Sequence, residues 1–192
     1  MYNNMKLKAL PLAIASALGT SLLLSPVASH AMVTYNNWTS NDPESGNYIV
    51  TATHNDTTSM WDIVFTVDPW NAEGLGLFID WGDIDIDESL VNLSNVSWTP
   101  PEPGGGVTLW DTDTTSNGCG PGCNLNGLDP IIPYPDGEWE LVFRLAGQGF
   151  DGIQTFNFSI NDFGLTDMDW GLMGIRAQQL CPEGTVLPEG ET

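Results

Sequence analysis

The segment Met60-Trp61-Asp62-Ile63-Val64-Phe65-Thr66-Val67 is echoed by Glu138-Trp139-Glu140-Leu141-Val142-Phe143-Arg144-Leu145. In each, Trp, an aliphatic residue, Phe and a second aliphatic residue stand at every second position. Alternate side chains of a strand point to opposite faces, so each segment offers one continuous apolar face. The other face carries Asp62 and Thr66 in the first copy, Glu140 and Arg144 in the second. This spacing predicts two central strands of an antiparallel sheet protein. The alternation assigns Trp61 and Trp139 to its core.

Other segments repeat the period of two. Tyr48, Val50 and Ala52 alternate with Ile49, Thr51 and Thr53, and Asn55-Asp56-Thr57-Thr58 supplies a hairpin link to the first Trp-Phe strand. Further strands are expected over 75–81, 153–160 and 170–178, with short apolar pieces at 90–93, 96–98 and 107–110. Pro100 to Gly106 reads as a loop, and residues 111–137 read as one long irregular insertion. No helical periodicity is found beyond the N-terminal leader. Seven to nine short strands separated by Gly, Pro and Asn predict an all-β fold, an antiparallel β-sandwich of jelly-roll or Ig-like type.

At the N-terminus, Lys6 and Lys8 precede an apolar run that ends at Ala28-Ser29-His30-Ala31. A charged head, a short apolar middle and a small-residue exit describe a secretory signal over residues 1–31. One domain is then expected over 32–181, followed by a mobile tail at 182–192. The chain has 25 acidic residues, four basic ones and a net charge of −21. Beyond the leader only Arg144 and Arg176 are basic. Nucleic acid and anionic lipid are bound mainly through Lys and Arg, so neither is an expected partner, and no membrane span is expected after signal cleavage. Eight Trp and seven Phe argue against disorder.

Cys119, Cys123 and Cys181 lie in the exported part, where disulfides persist. The Cys119-Gly-Pro-Gly-Cys123 loop is flexible enough to close on itself, and pairing of Cys181 back to that loop is the alternative.

The densest acidic stretch is Asp83-Ile84-Asp85-Ile86-Asp87-Glu88. In extended form it puts Asp83, Asp85 and Asp87 on one face, with Asp80 close by. Hard oxygen ligands at this density suit Ca2+, and the competing reading is an edge strand whose charges discourage aggregation. The same i, i+2, i+4 spacing is similar to the catalytic strand of laminarinase-type glycoside hydrolases, which place Glu at both outer positions. No residue is assigned a catalytic role. Trp70, Trp81, Trp98 and Trp110 fall at strand ends or in loops, where exposed rings would stack on a glycan.

The segments from Gly152 to Ile160 and from Trp170 to Gln178, with Gly174-Ile175-Arg176-Ala177-Gln178 the closest match, resemble the closing hairpin of PEP-CTERM-type exported bacterial proteins. That resemblance implies a surface or matrix protein outside the cell and supplies no catalytic residues. Pro101-Glu102-Pro103 is internal and is not a sorting signal. The expected function is therefore a secreted, acidic structural or adhesive protein at a bacterial surface or in its matrix, stabilised by Ca2+ and partnered by itself or by extracellular polysaccharide. A carbohydrate-binding module is the alternative, with a small glycosidase third.

Overall fold

The computed structural model describes residues 30–39, 48–67, 73–99, 106–125, 137–146 and 154–178. Trp70, Cys181, most of the leader and the tail lie outside the described residues. Nine strands follow in order: β1 (Met32–Tyr35), β2 (Tyr48–Asn55), β3 (Met60–Val67), β4 (Glu73–Trp81), β5 (Ser94–Thr99), β6 (Gly106–Thr114), β7 (Trp139–Ala146), β8 (Gln154–Asn161) and β9 (Trp170–Gln178). They form a five-stranded sheet in the order β1-β2-β3-β8-β5 and a four-stranded sheet in the order β6-β7-β4-β9. Every pairing is antiparallel. The expected β-sandwich is what forms, with both Trp-Phe segments as inner strands of different sheets.

The β2–β3 hairpin is built by its sequence. Asn55 accepts through its side chain from the backbone N–H of Thr57 and Thr58, at 3.1 and 3.3 Å, and Ser59 takes the left-handed conformation that returns the chain. Pairing in the first sheet then runs without a register break from β1 to β8. One inward row is Tyr35, Val50, Phe65, Phe156 and Trp98; the outward row beside it is Thr34, Thr51, Val64, Asn157 and Ser97.

Between the sheets, Ile63, Phe65, Phe156 and Phe158 meet Leu77, Ile79, Leu141 and Phe143 in one buried cluster. Phe143 of β7 and Phe158 of β8 lie 4.8 Å apart across the gap. One end is filled by Trp61, Trp81 and Trp170, with ring centroids 5.1–6.4 Å apart. Their indole N–H groups meet no acceptor, so ring packing alone holds this cluster. Burying several aromatic side chains, at about 1.5–3 kcal/mol each, is the main force holding the sheets together.

Three details differ from the sequence reading, and one strand is added. Residues 90–93 are not a strand: Glu88–Leu90 is one 3-10 turn, because Asp87 caps it through bonds to Ser89. The insertion expected from residue 111 begins later, since β6 continues to Thr114 around a bulge between Leu109 and Asp111. β1, too short for its alternation to register, adds an edge to the first sheet. Trp139 is fully buried but leaves the row of its neighbours. It packs 5.6 Å from Phe78 and joins Val142, Leu75, Leu125 and both loop cysteines on the outer face of the second sheet.

Candidate functional site

β4 ends at Trp81, and Gly82 turns the chain with φ 74° while its N–H bonds the Asp169 carbonyl at 2.8 Å. The following residues cross the end of the sandwich without joining a ladder. Ile86 is buried and Ile84 half-buried, so Asp83, Asp85 and Asp87 are turned outward, as the alternation requires. From the other side come Glu140 of β7 and Glu138, the residue just before that strand. Asp83, Ile84, Asp85, Glu138 and Glu140 line one cleft of about 400 Å³. Glu140 is only 2% exposed and accepts from the Trp81 N–H, which fixes the cleft wall to the end of β4.

Asp113 of β6 closes this region from a third segment. One carboxyl oxygen accepts from the Ile86 N–H at 2.7 Å, and the other is buried with no hydrogen-bond partner. Burial pushes the Asp113 carboxyl above its ordinary range, and the charges of Asp85, Glu138 and Asp111 push it further. Its backbone sits in the left-handed region, φ 42°. These carboxylates stand around the cleft without a closed ligand cage: among the described residues, no three His, Cys, Asp or Glu side chains are gathered to hold a metal ion.

The four aspartates expected as cation ligands are divided. Asp83 and Asp85 reach the cleft. Asp87 does not, because its carboxylate accepts from the Ser89 N–H and hydroxyl at 2.9 and 2.6 Å, which also holds its pKa down. Asp80 is buried elsewhere, accepting from the Leu172 N–H at 3.0 Å against Gly171 of β9. Beside it, burial and the Asp80 charge raise the Tyr35 pKa to about 12. With Asp87 capping a turn, the i, i+2, i+4 carboxylates do not line the cleft as one row.

The tryptophans diverge as well. Trp81 is fully buried in the core, a correction to its expected place in a glycan platform: the strand end it marks lies under Trp61, Trp170 and Phe163. Trp98 is half-buried on the inward row of β5, over Gly106. Trp110, 46% exposed, rises from the β6 bulge on the other side of the second sheet, against Gly120. The described rings do not converge on one groove.

No known protein family, curated protein or solved structure matches this chain. Among the described residues no helix is long and apolar enough to cross a membrane.

The expected disulfide does form between Cys119 and Cys123, whose Cα atoms are 4.9 Å apart. Both cysteines are buried on the second sheet, and Arg144 donates to the Cys119 carbonyl at 3.0 Å. The seat is shaped by glycine: a Cβ on Gly76 would run into Cys119 Sγ and stand 2.8 Å from Cys123 Sγ, and one on Gly174 would stand 2.6 Å from Leu125. Sequence reasoning missed Glu138, Glu140 and Asp113 as members of the acidic site. The two glutamates flank Trp139 on a strand pattern, which explains them as an outer face and gives no hint of what they would meet.

Proposed function

We propose that this chain is an exported structural or adhesive protein of a bacterial surface or matrix, and that Ca2+ stabilises its acidic end. One observation carries the reading: carboxylates from the 83–85 segment, from Asp113 and from Glu138 and Glu140 converge on one end of the sandwich. Like charges brought together at partial burial oppose folding, and a hard divalent cation with oxygen ligands relieves that cost. Ca2+ accepts six to eight oxygens in flexible geometry, so the splayed carboxylates would close on it. The leader-like N-terminus, the acidic composition and the disulfide support a place outside the cell, and the described tryptophans, which do not converge on one groove, lend the glycan-stacking reading no support.

The test is thermal melting and light scattering of residues 32–192, in Ca2+ and then in chelator. Calcium is expected to raise the melting temperature by several degrees and to increase the mass of the species in solution. Identical melting and mass under both conditions would refute the reading. Asp113→Asn refines it. Because the folded-state pKa of Asp113 is raised, its stabilisation belongs to the protonated form and is lost as pH rises through that value. Asparagine keeps the acceptor for the Ile86 N–H, tolerates the left-handed backbone and carries no charge. It should gain about 1 kcal/mol at neutral pH in chelator, by removing a like charge from a partly buried cluster, and lose that gain in calcium.

A further inference from the structure

The outer face of the five-stranded sheet differs from the rest of this acidic chain. Its outward rows are Thr34-Thr51-Val64-Asn157-Ser97, Met32-Thr53-Asp62-Ser159-Ser94 and Ile49-Thr66-Thr155-Thr99. In a protein with 25 acids these rows hold a single charge, Asp62, whose carboxylate accepts the Ser159 hydroxyl at 2.6 Å. Ser159 in turn accepts from the Asn95 side chain at 3.0 Å, so that charge is tied into the sheet. Everything else in these rows is hydroxyl, amide or apolar. Val64 and Ile49 are 39% and 47% exposed and form apolar spots between the threonines.

The face is also regular. The unbroken register from β1 to β8 spaces equivalent side chains by about 4.8 Å between strands and about 6.8 Å along them. Each hydroxyl both donates and accepts, so such a grid meets a partner that carries hydroxyls of its own. Charge selects among partners. An anionic polymer is repelled by the chain as a whole, and a cationic one is drawn to the carboxylate cleft. A neutral one loses nothing on this face, because almost no charge there has to be stripped of water.

We infer that this face docks a neutral, hydroxyl-rich polysaccharide presented as an ordered surface, with the threonine hydroxyls pairing to sugar hydroxyls and with Val64 and Ile49 against the sugar C–H edges. The inference deepens the adhesive reading above and rests on it for its setting. It does not depend on calcium.

The experiment is retention of residues 32–192 on crystalline cellulose and on crystalline chitin, with alginate as the anionic control. All of it is done in chelator, with the mass in solution measured alongside. The wild type is expected on at least one neutral solid and not on alginate, with little dependence on salt. Val64→Glu should weaken retention at least tenfold. The paired change Thr51→Val with Thr155→Val keeps the side-chain shapes, suits a strand and should weaken retention about threefold without lowering the melting temperature. Trp110→Ala should change nothing. Absence of retention on both neutral solids overturns the inference, as does equal retention of Val64→Glu, or loss confined to Trp110→Ala. If Val64→Glu changes the mass in solution instead, the face joins copies of the chain and the polysaccharide assignment falls. A protein that ignores calcium yet is retained on a neutral solid would break the calcium reading alone.

Discussion

β3 and β7 carry the same Trp-x-aliphatic-x-Phe pattern, yet their tryptophans are guarded by different chemistry. Trp61 stays in the row of Ile63 and Phe65 and closes one end of the sandwich, with the His54 ring 4.9 Å away. Trp139 leaves its row and lies beneath the Cys119–Cys123 loop on the far side of the second sheet. The cause is what each strand meets on its second face. β3 turns Asp62, Val64 and Thr66 outward, and among the described residues no second core forms over them. β7 carries Val142 there, opposite Phe78, and those two side chains give a second core something to build on. The comparison teaches that alternation fixes which residues are buried more firmly than which side buries them.

The largest effects should come from the two indoles. Trp61→Ala is expected to cost about 5 kcal/mol and Trp139→Ala about 3 kcal/mol, both within the range for deleting a buried Trp. Urea unfolding with and without reductant sharpens the contrast: reduction should shrink the Trp139 penalty and leave the Trp61 penalty unchanged. Equal penalties that are equally blind to reductant would dissolve the distinction.

A smaller effect follows from the seat of the disulfide. Gly76→Ala places a methyl against both sulfurs, Cys119 first and then Cys123, and is expected to cost roughly 2 kcal/mol by overpacking. Hydrogen exchange should show the loss in β4 and residues 117–125, with the β2–β3 hairpin untouched. Uniform loss across both sheets would mean that the cap and the sandwich are one unit.

The smallest effect concerns the guard on Trp61. The His54 ring bonds Asp162 at 2.9 Å and Asp56 at 2.7 Å, and the bond to Asp162, followed by that to Asp56, raises its pKa. A raised folded-state pKa means the stabilisation is complete below the ordinary histidine range and disappears as pH rises through the raised value. His54→Gln should therefore cost ~0.5 kcal/mol at pH 5 and almost nothing at pH 9. A cost independent of pH would assign His54 a packing role only.

Much of the fold was legible in the sequence because strands with one buried face carry their period openly, as in β2, β3 and β8. β1 was not, being four residues long. The short apolar piece from Leu90 to Leu93 forms no strand, because the Asp87 cap commits the chain to a turn before a ladder can start. The acidic site was half legible. Asp83 and Asp85 declared themselves by density, whereas Glu138 and Glu140 join them only through the pairing of β4 with β7, which no local pattern encodes. Trp81 was misplaced because a strand end is exposed only when nothing folds over it, and Trp170 comes from the last strand of the chain.

The cap over Trp139 also bears on the order in which this protein is made. Its own bonds are short-range: Cys119 to Cys123, Cys123 to Gly120 and Leu125 to Asn117. Contacts this close in the chain form early and cheaply. The seat they need does not, since Gly76, Val142 and Gly174 belong to strands far apart in sequence that must first lie side by side. The cap is thus a ready-made plug waiting for a socket. How well its two sulfurs are shielded from a reductant reports, at any moment of folding, whether the second sheet has been completed.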